Sequence, residues 1–164
     1  MSTETTNTTP ATQRTVQLPS ARTMFGAVIV ACILLPFAAF LGDIVFTDND
    51  PYRNEGPVDS FISIGVVGGI ALVLAVGVGA VLVRSPERAR IGAVVFAALS
   101  VLTLAVFWSG APGLFGAAAA WLSGLTRGGR PLDGAARVAG IVGAFVAVLN
   151  VLLALGGMAL SAII

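Results

Sequence analysis

Residues 91–126, IGAVVFAALSVLTLAVFWSGAPGLFGAAAAWLSGLT, form a run of 36 residues without a charge, and its reading decides the fold. One membrane crossing takes about 20 apolar residues, so this run is too long for one helix and divides into two. The division falls at Ser109-Gly110-Ala111-Pro112-Gly113. Gly110 can end a helix in the left-handed conformation, and Pro112 suits the first turn of the next, where its missing N–H would have no partner anyway. The stretch is predicted to fold back as a hairpin, with arms over residues 91–109 and 112–126. At helical rise the second arm reaches only about 22 Å, so it either crosses with some local thinning of the bilayer or is re-entrant.

The chain around this hairpin has the composition of an integral membrane protein. Of 164 residues, 57% are hydrophobic and 10% charged, against about 25% charged in a soluble domain. All nine basic residues are arginine, which with the excess of Ala, Gly and Val suggests a GC-rich bacterial genome. The lone Cys32 can form no intrachain disulfide. The net charge of +1 makes no case for nucleic acid, which is not among the expected partners.

Working outward, Arg84, Arg88 and Arg90 precede the hairpin, and Arg127, Arg130 and Arg137 follow it. Arginine-rich loops stay in the cytoplasm, so both ends of the hairpin are assigned there. Ser85-Pro86-Glu87 reads as the start of a helix, with a capping hydroxyl, a proline at the first position and an acid near the positive end of the dipole. Before it, residues 60–83 make one span and residues 23–42 another, with Pro36 predicted to kink the earlier one. Between them lies an acidic loop with Asp43, Asp48, Asp50, Glu55 and Asp59, placed outside. Residues 138–163 form the last span. Residues 1–22, rich in Thr and Ser, are expected to be a flexible tail. The expected fold is all-α, a polytopic transmembrane bundle of five helices, with a four-helix bundle containing a broken third element as the alternative. The N-terminus is assigned to the cytoplasm and the C-terminus to the outside of a bacterial cell (inner) membrane.

Several features of the second half recur together: an apolar hairpin with a Pro/Gly turn, the Ala/Gly-rich arm Gly116-Ala117-Ala118-Ala119-Ala120-Trp121-Leu122-Ser123-Gly124, an arginine-bearing turn, and a last helix opening Ala139-Gly140-Ile141-Val142-Gly143. In these, residues 91–155 resemble a small module of uncharacterised actinobacterial multi-pass membrane proteins, a domain of unknown function. The resemblance implies no catalytic or ligand-binding residue.

Small residues four apart let helix backbones approach closely in lipid, and Gly65/Gly69, Gly116/Ala120/Gly124 and Gly143/Ala147 are the candidate packing faces. Contacts within the bundle are preferred to a seam between copies. Asn150 is the one strongly polar side chain near the middle of a span, with Ser100 and Thr103 as expected partners at similar depth. It reads as interhelical glue rather than a substrate contact, because function at that depth more often recruits ionisable groups. Replacing it with Leu is expected to cost about 0.6 kcal/mol.

No metal or cofactor is expected. Asp48-Asn49-Asp50 with Glu55 lacks the spacing of a calcium loop, since Pro51 and Tyr52 stand where a ligand and glycine would be needed. Ser109 and Ser123 have no partner that could activate them as nucleophiles, so the chain is not expected to be an enzyme. The expected partners are the lipid bilayer and either a second copy or a larger membrane complex. The first functional expectation is a structural or accessory subunit; the alternative is a small oligomeric transporter or channel.

Overall fold

The computed structural model describes residues 18–46, 57–127 and 131–161, and the protein over these residues is an all-α bundle of five helices. Most of the tail, the acids Asp48, Asp50 and Glu55 of the acidic loop, and Arg130 lie outside the described residues. Helix α1 covers residues 21–46, α2 residues 57–82, α3 residues 86–109, α4 Ala111–Leu122 and α5 Ala135–Ser161. Four of them contain segments long and apolar enough to cross a membrane: Ala21–Ala39, Ile64–Leu82, Pro86–Ser109 and Ala135–Leu160. The chain is thus a polytopic membrane protein, with α4 the short exception.

Local sequence explains the helix ends. Ser20 caps α1, its hydroxyl accepting from Thr23 N–H at 3.2 Å. Within α1, a single π turn over Val30–Leu34 precedes Pro36, so the helix widens one turn ahead of the residue that has no N–H for the Cys32 carbonyl. A second π turn, Leu74–Val78, lies in α2. Helix α3 begins at Pro86 after Ser85, although the Ser85 side chain makes no capping hydrogen bond. Its last seven residues, Thr103–Ser109, tighten to a 3-10 helix with a break at Val106. Gly110 then turns the chain at φ 73°, and Pro112 stands in the first turn of α4. At the other end of α4, Gly124 has φ 84°. It therefore lies past the helix and does not extend the Gly116/Ala120 face.

Helix α4 is the axis of the bundle and contacts the other four helices. Every residue from Ala111 to Ala120 is buried. Alanine has the highest helix propensity and a small side chain, so this arm holds its conformation while admitting neighbours on all sides. The closest approach is to α5, where a methyl on Gly116 would overlap the Gly143 carbonyl oxygen and one on Gly143 would sit 2.6 Å from the Gly116 carbonyl oxygen. Against α3, the rings of Phe115 and Phe96 pack at 5.8 Å.

The contacts along α4 give the direction of every helix. Near its C-terminal end lie Phe25 of α1, its ring edge-to-face with Trp121 at 6.3 Å, and Gly79 of α2, where a Cβ would sit 2.9 Å from the same indole. Gly92 of α3 packs on Leu122, and Gly140 of α5 on Ser123. Near the N-terminal end lie Cys32 and Ile33 of α1, Gly68 of α2 and Asn150 of α5. Both arms of the hairpin therefore open at one end of the bundle, the end that carries Arg84, Arg88, Arg127 and Arg137.

The hairpin does not reach the far end. Twelve residues give α4 about 18 Å, short of the roughly 30 Å hydrocarbon core. Asn150, level with its start, lies 15 residues after Ala135 and 11 before Ser161, about 22 Å and 16 Å along α5. Helices α1 and α2 likewise run on past Cys32 and Gly68. The returning arm thus starts inside the bundle, short of its far end.

Candidate functional site

Breaking a helix inside a bundle frees backbone groups where water cannot satisfy them, so the hairpin turn is where polar chemistry concentrates. Its groups are satisfied one by one. Ser109 Oγ donates to the Val106 carbonyl at 2.7 Å and accepts from Ala111 N–H at 3.3 Å. Pro112 has no N–H to satisfy. Gly113 N–H donates to Asn150 Oδ1 at 3.1 Å, and Leu114 N–H to the Gly110 carbonyl at 3.1 Å. The Phe107 carbonyl accepts from Gly110 N–H at 3.3 Å and from Asn150 Nδ2 at 2.9 Å.

Asn150, 0% exposed, thus pins the end of α3 to the start of α4 through two backbone groups. Ser100 and Thr103 are not its partners. Each donates within α3, Ser100 to the Ala97 carbonyl at 2.8 Å and Thr103 to the Leu99 carbonyl at 2.7 Å. The 3-10 end of α3 brings the Phe107 carbonyl within reach of Asn150, a result no side-chain inventory could foresee.

Of the packing residues, Gly116, Gly143 and Ala147 meet in the α4–α5 contact, and Ala120 is fully buried beside it. Gly65 and Gly69 do not take part: a Cβ at either would meet nothing within 4 Å. The inward face of α2 is Gly68, Ala71, Ala75 and Gly79, turned about 60–100° from the Gly65/Gly69 line. Gly68 is the close approach, where a Cβ would sit 2.8 Å from the Ser109 carbonyl oxygen. Its spacing of three and four to further small residues was the available signal.

A second polar locus lies at the arginine end. Ser123 ends α4 with its hydroxyl donating to the Ala120 carbonyl at 2.9 Å and its own carbonyl accepting from Leu132 N–H at 2.9 Å. Arg127 folds back: its Nε donates to the Trp121 carbonyl at 3.0 Å, and its guanidinium lies 5.9 Å from the centre of the Trp121 ring. Partial burial lowers the Arg127 pKa from its ordinary value. Its neighbour Thr126 is buried, and its hydroxyl has no hydrogen-bond partner among the described residues. Beside them is a cleft of about 230 Å³, walled by Val83, Pro86 and Ala89 on one side and Leu122, Leu132 and Arg127 on the other.

Among the described residues, no three His, Cys, Asp or Glu side chains gather as a metal site. Comparisons with protein-family models, curated proteins and solved structures gave no match to this chain.

Proposed function

We propose that this protein is a non-enzymatic structural or accessory subunit of a bacterial cell membrane, packing against itself or a larger membrane complex. The observation that carries the reading is the placement of α4: a helix buried from Ala111 to Ala120 fills the axis along which a path through one chain would run. The polar groups at that depth support it, because Asn150, Ser100 and Ser109 are bonded to the chain's own backbone. In the competing reading, a small oligomeric transporter or channel, a pore forms between protomers and Asn150 lines it. Its burial against Gly113 and Phe107 argues against that role.

The proposed orientation follows from the arginines. Those of the α2–α3 and α4–α5 turns share one end, which the positive-inside rule assigns to the cytoplasm, leaving the C-terminus outside. Kinship of residues 91–155 with the actinobacterial module belongs to the same proposal. Purification of the tagged chain from its native membrane in mild detergent tests it. Recovery with one defined membrane partner in fixed ratio supports the accessory role; a symmetric oligomer that conducts ions or solutes after reconstitution overturns it.

A further inference from the structure

We propose that the cleft at the arginine end holds an anionic phospholipid, its phosphate on Arg127 and the upper part of its acyl chains against Val83, Pro86 and Leu132. The geometry provides both halves of such a ligand's needs. Arg127 is anchored from behind by its Nε bond to the Trp121 carbonyl and by the indole face. A guanidinium has five N–H donors, and the remaining four have no partner among the described residues. Such donors form the paired, charge-assisted contacts that guanidinium makes with phosphate oxygens.

The open walls are apolar and belong to helices that continue into the membrane, with Val83 directly after α2 and Pro86 at the start of α3, over a floor of the buried Leu122 and Ala89. A free phosphate would leave these surfaces unused, whereas a lipid places its headgroup at the turn and its chains down the helices. Charge favours the same ligand. Among the described residues, this end carries Arg22, Arg84, Arg88, Arg90, Arg127 and Arg137 against Glu87 and Asp133. Basic pockets between membrane helices on the cytoplasmic side are the places where anionic headgroups are held.

The test is native mass spectrometry of the full chain released from detergent, offered equimolar phosphatidylglycerol and phosphatidylcholine of identical chains. The wild type is expected to retain phosphatidylglycerol in preference. Arg127→Gln is expected to lower that preference about fivefold, the effect of one arginine near anionic headgroups, and Arg127→Lys to restore part of it. Arg137→Gln, on the same end but outside the cleft, is expected to lower it less than Arg127→Gln does. Equal retention of the two lipids by the wild type overturns the proposal without any variant. So does an equal loss in Arg127→Gln and Arg137→Gln, which would mark a diffuse basic surface. Thermal stabilisation by inorganic phosphate alone, matching that by phosphatidylglycerol, would identify an anion site instead and equally overturn it.

Discussion

Gly113 and Asn150, 37 positions apart, are joined by a hydrogen bond of 3.1 Å from the backbone N–H of one to the side-chain oxygen of the other. The other half of the same amide holds the Phe107 carbonyl at 2.9 Å. The hairpin turn lies within the bundle, so the backbone groups it exposes need partners from a neighbouring helix. One asparagine on α5 satisfies a donor and an acceptor at once, with the oxygen and the nitrogen of its amide.

Asn150→Leu is therefore expected to cost more than the loss of an average interhelical bond. It leaves the buried Gly113 N–H unpaired and takes from the Phe107 carbonyl one of its two donors, and the loss of folding free energy is expected to be about 1–3 kcal/mol. Thermal or denaturant unfolding in detergent measures it, and a change under about 0.6 kcal/mol would show that the turn finds other partners. The buried Cys32 beside Gly110 offers a local readout: its reaction with a maleimide is expected to be slow in the wild type and faster in the variant.

At the α4–α5 contact even one methyl is too much. Gly116→Ala and Gly143→Ala are each expected to lower stability by about 1–3 kcal/mol through overpacking, because the obstacle is backbone and cannot rotate away. Gly69→Ala meets nothing within 4 Å and is expected to be neutral or stabilising by up to about 1 kcal/mol. Parallel melting curves of the three variants decide the matter, and equal effects would place the contact elsewhere.

Thr126→Val is expected to stabilise the protein by about 1 kcal/mol. Its hydroxyl is buried without a partner among the described residues, and a methyl of similar shape removes that desolvation cost. A lower melting temperature in the variant would mean the hydroxyl is bonded in the membrane-embedded protein.

Topology gives the broadest check. With the arginine turns in the cytoplasm, an alkaline phosphatase fused after Ile164 is expected to be active, and a fluorescent protein that folds only in the cytoplasm to be dark at the same site. Fusions in the α4–α5 turn should behave in the opposite way. A shift of the C-terminal fusion to the cytoplasmic pattern would invert the proposed orientation.

The amino-acid sequence by itself determined the hairpin, its turn and the number of helices. Those features rest on local facts: a charge-free run too long for one crossing, a glycine able to take φ 73°, a proline that fits a first turn, and arginines at both ends. It also placed Gly116, Gly143 and Ala147 among the residues of close packing. What it could not determine was which side of each helix faces inward. A soluble helix shows its buried face as an apolar stripe, but in α2 the residues around Gly65, Gly68 and Gly69 are apolar all round, so no stripe distinguishes Gly68 from its neighbours. Shape complementarity between distant segments makes that choice in lipid. Asn150 shows the same limit: the need for a partner was legible from its chemistry, yet the groups it meets are backbone atoms that come free only once α3 tightens and breaks at Val106, and that event belongs to the folded bundle.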